Sequence, residues 1–183
     1  MVLTEENCDV YVSLGSNQGD RALNLLKAWA LLGNNKDITL KALSPPFLTS
    51  PVDMNSHHWF INAVGCLTTT LTPLSLLDVL LEIESVFGRA RDSYQSGYQD
   101  RTIDLDLLYF GSSVQDSPRL TLPHPRRSER LFVLAPMAAI APEFVDPEHL
   151  QTLVEMHHQL LEKMKNNHIA QQEITISSWP QKY

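Results

Sequence analysis

The run Arg101-Thr-Ile-Asp104-Leu-Asp106-Leu-Leu-Tyr-Phe110 carries two carboxylates at i and i+2 in a segment that reads as a β-strand. Side chains alternate along a strand, so Asp104 and Asp106 leave one face while Ile103, Leu105 and Leu107 leave the other, toward a core. Two acids side by side repel each other, and a cation between them relieves the repulsion. Hard oxygen donors on a rigid element suit Mg²⁺, which usually takes one or two carboxylates together with substrate phosphates. On these residues alone two readings stay open: a metal-holding pair, or two solvated aspartates on the outer face of a half-exposed strand.

The distribution of basic residues bears on that choice. Seven of the eight arginines (Arg89, Arg91, Arg101, Arg119, Arg126, Arg127 and Arg130) fall between positions 89 and 130, and no lysine lies between Lys41 and Lys163. Residues 89–130 hold seven basic and six acidic side chains, while the rest of the chain is strongly acidic and the net charge is −7. Arginine presents a planar, permanently charged fork that matches phosphate oxygens in pairs. Two aspartates among arginines fit a polyphosphate site; ordinary surface ion pairing is the alternative. His124, in the rigid turn Leu122-Pro-His-Pro125, is placed either to donate to a phosphate or protonate a leaving oxygen, or simply to bond a turn carbonyl. Phe60 and Asn62 share a strand face, an aromatic plate beside an amide, which would suit a flat heterocycle as well as it would suit a core.

Other constellations are weaker. Gly15-Ser-Asn-Gln-Gly19 follows a strand and precedes a helix, the place of a phosphate loop, but it lacks a Walker lysine and reads first as a turn. His57-His58 and His149, His157 and His158 have no zinc-site spacing, and no G-x-S-x-G is present.

The elements that must position these residues follow from periodicity and punctuation. Asp9–Gly15 is a strand, and Asp20 caps a helix that runs to Leu32 and stops at Gly33. Ile38–Ser44 is a second strand, 45–58 a proline-bearing loop, and Trp59–Thr70 a third strand. Thr72 caps a helix that starts with Pro73 and ends before Gly88. The polar stretch Asp92–Asp100 reads as a mobile loop, and Ile103–Phe110 is the fourth strand. The order β-α-β-β-α-β is the ferredoxin-like α+β arrangement, two helices on one face of a mostly antiparallel sheet. Beyond it the pattern predicts a short helix near Arg126–Ile140 and another over Pro147–Lys165, capped by Asp146, with Leu150, Leu153, Val154, His157, Leu160, Leu161 and Met164 as its apolar stripe. The tail after Asn166 is polar and loose or weakly strand-like. We expect one domain over 1–183, with its core at about 9–143 and a C-terminal helix and tail at 147–183.

Composition bounds the function. With 183 residues, 43% of them hydrophobic, the chain can bury a real core. A net negative charge argues against a broad nucleic-acid or acidic-membrane surface, and the local arginines point to a small anionic ligand. Cys8 and Cys66 give no disulfide framework, the acidic N-terminus has no signal-peptide pattern, and the longest apolar stretch is too short to span a membrane. The expectation is a cytoplasmic protein with no membrane or nucleic-acid partner, monomeric or a weak homodimer.

Taken in order, Val12-Ser-Leu-Gly-Ser-Asn17, Ser50-Pro-Val52, Phe60-Ile-Asn-Ala63, Ile83-Glu84 with Gly88-Arg-Ala-Arg91, Arg101-Thr-Ile-Asp-Leu-Asp106, and Leu122-Pro-His124 with Arg130-Leu-Phe132 resemble the 6-hydroxymethyl-7,8-dihydropterin pyrophosphokinase family of the folate pathway. The resemblance runs from about Val10 to Glu143. It implies an α/β sandwich of ferredoxin-like type and an ATP-dependent diphosphokinase. In that reaction the pterin hydroxymethyl oxygen attacks the β-phosphorus of ATP and AMP leaves. It further implies that Asp104 and Asp106 hold two Mg²⁺ ions, and that Arg89, Arg91 and Arg101 hold or close over phosphates. His124 and Arg130 would contact the triphosphate, and Glu84, Leu107, Arg119 and Thr121 would lie along the nucleotide. Phe60 and Phe132 would sandwich the pterin, Asn62 would pair with its polar edge, and Ser50, Pro51, Val52 and Asp53 would complete that pocket. Loops 45–58 and 92–100 would be the lids. The family commonly has Gly-Pro before the arginine of the double-Asp motif. This chain has Gln99-Asp100, an extra carboxylate beside the phosphate site. Two other readings compete: a transfer onto a different pterin or alcohol, and a nucleotide- or pterin-binding protein without catalysis.

Overall fold

The strand Val10–Ser16 (β1) is buried along its whole length and has a neighbouring strand on each edge. The computed structural model describes residues 8–52, 56–88 and 100–181. Arg89, Arg91, Asp53 and the expected loop from Asp92 to Gln99 lie outside the described residues. After β1 come Arg21–Gly33 (α1), Ile38–Leu43 (β2), Phe47–Thr49 (β3), Phe60–Thr69 (β4), Pro73–Val86 (α2) and Asp104–Phe110 (β5). A small hairpin follows, Gln115–Asp116 (β6) with Thr121–Leu122 (β7), then Leu131–Ile140 (α3), Leu153–Lys165 (α4) and Ile174–Ile176 (β8).

The sheet order is β5-β1-β4-β3-β8, with β2 also paired to β4, and every pairing is antiparallel. The β5-β1-β4-β2 part is the ferredoxin-like order read from the sequence. Helices α1 and α2 cover one face, burying Leu25, Ala28, Leu32, Leu76, Leu80 and Ile83 against Val12, Leu14, Ala63 and Leu105. Helices α3 and α4 cover part of the other face, against Tyr11, Val64, Cys66, Leu108 and Tyr109. A bulge between Tyr11 and Val12 turns Leu108 and Tyr109 both into this second core while Leu107 and Phe110 stay in the first. The part of the second face that α3 and α4 leave uncovered is where the polar residues of β1, β4 and β5 gather.

The caps expected for the first two helices are present: Asp20 accepts from the Leu23 N–H and Thr72 from the Ser75 N–H, with Pro73 in the first turn. Three expectations need correction. The loop 45–58 contains a strand, β3, which pairs with the start of β4. The expected helix near Arg126–Ile140 is divided into a 3₁₀ turn at Arg127–Glu129 and α3. The last helix begins at Leu153, not Pro147, and its cap is Thr152 with Glu155 in a reciprocal capping box. Asp146 caps only the turn before that helix, its Oδ1 accepting from the Glu148 N–H at 2.9 Å and the His149 N–H at 2.8 Å, and it is also the partner of Arg127. The Arg127 guanidinium donates from Nε to Asp146 Oδ2 at 2.6 Å and from Nη2 to Oδ1 at 2.9 Å, and Tyr109 donates its hydroxyl to Oδ2 at 2.8 Å. These partners outweigh burial and hold the Asp146 carboxyl well below the usual carboxylate range. Leu150, expected in the apolar stripe, is exposed in a turn with φ of 54°, and the buried stripe is Leu153, Met156, Leu160 and Met164. The tail forms a true edge strand, β8, on β3. No helix among the described residues is long and apolar enough to cross a membrane.

Gly65 of β4 lets α1 lie close to the sheet. A Cβ there would stand 2.2 Å from the Trp29 ring. Gly65→Ala must therefore push the helix or the indole outward, and we expect a loss of about 1–3 kcal/mol, read as a lower midpoint of urea unfolding with an unchanged slope. An unchanged midpoint would show that the indole moves aside freely.

Candidate functional site

The floor of the site is the uncovered patch of sheet. Asp104 lies opposite Gly15, and Gly15 opposite Asn62; one step along, Asp106 lies opposite Ser13. Cross-strand partners share a face, so the two carboxylates of β5 stand beside two small residues of β1, with the Asn62 amide beyond. The small residues open the trough. A Cβ on Gly15 would come within 2.7 Å of Asn62 Oδ1. Asn62 is buried and donates from Nδ2 to Thr49 Oγ1 at 2.7 Å, which turns its carbonyl oxygen over Gly15.

Two cavities meet at Asp106. The first is floored by Ser13, Gly15, Asn62, Asp104 and Asp106 and walled by Thr49, Ser50, Val52, Phe60, Arg101, Arg130 and Phe132. The second lies between β5 and the β6–β7 hairpin and is lined by Leu105, Asp106, Leu107, Arg119, Thr121 and His124. The expected pterin residues Ser50, Val52, Phe60, Asn62 and Phe132 thus gather in the first cavity, and the expected nucleotide residues divide, with Leu107, Arg119, Thr121 and His124 in the second and Arg101 and Arg130 in the first. Pro51 lines a separate depression against α4 and the tail. Glu84 lines neither cavity. It is buried and its Oε1 accepts from the Leu105 N–H at 2.8 Å, satisfying a backbone group of an edge strand. Ser13, Gly15 and Thr49 were not among the expected site residues. Their signal lay in strand alternation, which puts Ser13 and Gly15 on one face of β1; the contribution of Thr49 depends on β3, which was read as loop.

The arginines divide. Arg101 Nη2 is 3.0 Å from Asp104 Oδ2, and the Arg101 guanidinium lies 5.8 Å from the centre of the Phe60 ring. Arg130 lies 5.3 Å from the centre of the Phe132 ring. Each aromatic wall of the first cavity is therefore backed by a cation. Arg119 reaches Asp78 at the mouth of the second cavity, 2.5 Å away. Arg127 is lost to the site, being spent on Asp146 and Glu148.

Burial pushes the Asp106 carboxyl up to about 6, the neighbouring Asp104 pushes it further the same way, and Arg130 and Arg101 oppose them only in part. Burial, with Arg130 and Arg127 close by, lowers His124 to about 4. His124 is neutral near pH 7, and its Nδ1 accepts from the Arg126 N–H at 3.3 Å, so the ring proton belongs on Nε2 and is available to an oxygen acceptor. A carboxylate pair of this kind fits a hard divalent cation: the charge it lacks is positive, and all its donors are oxygen. No group of three or more His, Cys, Asp or Glu that could hold a metal occurs among the described residues.

The segment entering β5 is fixed by the Gly15–Gly19 turn. Asn17 Oδ1 accepts from the Arg101 N–H at 2.7 Å, and Asn24 Nδ2 donates to the Thr102 carbonyl at 3.2 Å. Asn17 of that turn holds protein backbone, while Gly15, within β1, floors the first cavity. Asp100 accepts from Ser56 Oγ at 2.6 Å and Asn17 Nδ2 at 2.6 Å, and its other oxygen is 2.8 Å from His58 Nδ1. The Ser56 bond leads in lowering the Asp100 carboxyl, and these partners absorb its charge.

A family model described as 7,8-dihydro-6-hydroxymethylpterin-pyrophosphokinase matches residues 11–142. The chain is 39% identical over 147 residues to the 2-amino-4-hydroxy-6-hydroxymethyldihydropteridine pyrophosphokinase of Pseudomonas aeruginosa, covering 79% of this chain and 89% of that protein. It is 40% identical over 130 residues to the protein of the same name from Bacillus subtilis, covering 71% and 76%. Among solved structures, an HPPK-DHPS in complex with substrates superposes with a TM-score of 0.71 at 12% identity, over 89% of this chain and 45% of that one. Plasmodium falciparum HPPK-DHPS with pteroate gives 0.71 at 14%, over 92% and 47%. At such identities the likeness concerns the fold, and this chain spans under half of those longer chains.

Because Asp106 is held above the usual carboxylate range of about 4, the metal-free fold is favoured by its proton. Stability should fall as pH rises from about 4 through 6, by roughly 2–3 kcal/mol from this group. Asp106→Asn should therefore raise the metal-free Tm at pH 7.5, and the gain should vanish near pH 4. A variant no more stable than the parent at pH 7.5 would remove the burial argument. Gly15→Ala should leave the fold intact but weaken heterocycle binding at least tenfold by displacing Asn62, measured by calorimetric titration.

Proposed function

We propose, because this chain belongs to the 7,8-dihydro-6-hydroxymethylpterin-pyrophosphokinase family, that it transfers diphosphate from ATP to the hydroxymethyl group of 6-hydroxymethyl-7,8-dihydropterin in folate biosynthesis. The observation that carries this reading is the Asp104–Asp106 pair, with Asp106 forming the shared wall of two cavities of different chemistry. A flat heterocycle in the first and a triphosphate in the second would bring an alcohol oxygen and the β-phosphorus together at that wall. The new O–P bond forms as the bond from the β-phosphorus to the α,β-bridging oxygen breaks. AMP leaves, and the hydroxyl proton is released.

The roles of individual residues are our assignment. Asp104 and Asp106 would hold Mg²⁺, two ions in our reading, and bound Mg²⁺ supplies charge neutralisation and alignment of the triphosphate. Phe60 and Phe132 flank the heterocycle, Asn62 meets its polar edge, and Ser50 and Val52 close the wall beside it; for Pro51 and Asp53 only the family resemblance supports a part in that pocket. Arg101 and Arg130 face the phosphates from the first cavity, joined by Arg89 and Arg91, which the family resemblance supports. His124, neutral and protonated on Nε2, donates to a phosphate oxygen rather than acting as a cation. Leu107, Arg119 and Thr121 line the nucleotide side, and Glu84 acts on that side through Leu105, whose N–H it holds. We assign the chain as a monomer or weak homodimer. The net charge of −7 supports small anionic substrates over nucleic acid. ATP as co-substrate supports a cytoplasmic location.

The test is product analysis with ATP, Mg²⁺ and 6-hydroxymethyl-7,8-dihydropterin. We expect pterin-dependent AMP. Formation of ADP would mean a single phosphoryl transfer and would refute the reading. Asp104→Ala should cut turnover by several orders of magnitude while nucleotide binding persists; unchanged turnover would remove the metal assignment.

A further inference from the structure

The tail after α4 lies beyond the residues that match the family model, which end at 142, yet it is bonded to both walls of the first cavity. One wall is carried by the start of α3, where Arg130 occupies the capping position without capping through its side chain. The amide of Gln172 does that work from a distance. Its Oε1 accepts from the Leu131 N–H at 2.8 Å and its Nε2 donates to the Glu129 carbonyl at 2.8 Å, so it clasps the backbone on either side of Arg130, one residue before Phe132. The opposite wall ends at Ser50. There the Ser50 N–H donates to the Glu173 carbonyl at 3.0 Å and the Glu173 N–H donates to Ser50 Oγ at 3.0 Å. The contact continues as β8 pairs with β3, as the Ser177 N–H donates to the Pro46 carbonyl at 2.8 Å, and as Trp179 Nε1 donates to the Ser44 carbonyl at 3.2 Å.

Strand β3 has only three residues, and its outer edge would be open without the tail. The first amides of a helix need acceptors, and Gln172 provides the one that the local sequence does not. Adjacent residues of the tail thus fix the Phe132 wall and the Ser50 wall relative to each other. We propose that Gln172 and Glu173 are positioning residues for the pterin, a staple across its cavity supplied by a segment outside the family-matched region. This rests on the assignment of the first cavity to the pterin. The staple lines no part of the second cavity, so its loss should act first on pterin binding; Arg130, whose flanking backbone it clasps, faces the phosphates, so a smaller loss of nucleotide affinity should accompany it.

The experiment compares the full chain with Gln172→Ala, Gln172→Met and a chain ending at Ala170. Binding of 6-hydroxymethyl-7,8-dihydropterin is titrated in the presence of α,β-methylene-ATP and Mg²⁺, and steady-state kinetics are measured in parallel. We expect Gln172→Ala and Gln172→Met to raise the Kd and KM for pterin about tenfold, with kcat at saturating pterin within twofold of the parent and the Kd of the ATP analogue, through Arg130, raised by clearly less than that for pterin. The truncated chain should be weaker still. Equal loss of kcat and nucleotide affinity would mean general loosening and would overturn the proposal, as would variants that bind pterin like the parent. If the truncated chain does not fold, the two Gln172 variants decide the matter. A parent chain that binds no pterin overturns the assignment of the cavity, and this inference with it, and that outcome is distinct from parent-like binding by the variants.

Discussion

Two carboxylates on one face of a paired strand, one of them drawn out of water, form the constraint to which the rest of the molecule is fitted. Left alone the pair is unfavourable: burial and the Asp104 charge together hold the Asp106 carboxyl near 6. The strand cannot turn them away. A slip of one residue against β1 would bring Leu105 and Leu107 into the cavity and send both aspartates into the core beneath α1 and α2. The alternation that builds the core is therefore the alternation that presents the acids. The cost in the ligand-free state is typical of functional sites, where a locally unfavourable arrangement is held by favourable packing around it.

The holding is done by groups that never face the cavity. β5 is an edge strand, and edges are where a sheet is least rigid. Glu84 occupies the Leu105 N–H from α2, while Asn17 in the turn after β1 and Asn24 of α1 grip the backbone of Arg101 and Thr102. Asp100, a departure from the Gly-Pro common in the family, is accommodated because Ser56, His58 and Asn17 surround its carboxylate. On the far side, the buried Arg127–Asp146 pair, with Tyr109, joins the turn carrying His124 and Arg130 to the segment before α4. Removing one member of such a pair would leave the other charged and unmatched, a loss of about 3–5 kcal/mol.

The arginine-rich segment shows how a compositional signal mixes two causes. Clustering between 89 and 130 reads as one anion-binding feature, yet Arg127 is a structural ion pair, Arg119 reaches Asp78, and Arg101 and Arg130 back the aromatic walls. Nothing local distinguishes Arg126 from Arg127. What separates them is a buried acid nearly twenty residues later, and that acid had its own local explanation as a helix cap. The ion pair that Arg127 makes and the second partner that Asp146 takes are one contact seen from its two ends.

Wherever function depends on neighbours in sequence, the chain alone was sufficient. Strand alternation put Asp104 and Asp106 on one face, and Phe60 and Asn62 likewise. The Asp20 and Thr72 caps, the β-α-β-β-α-β order and the motif series leading to the family were legible for the same reason: each is set by periods of two or 3.6 residues or by capping chemistry within one turn. Tertiary structure alone decided what depends on partners distant in sequence. It brought Gly15 beneath the Asn62 amide, made Asp106 a wall common to two cavities, buried Glu84 on a backbone amide, and folded a polar tail so that Gln172 caps α3 and the residues after it form an edge strand. Those outcomes turn on unsatisfied hydrogen-bonding groups and empty volume, and neither exists until the elements have packed.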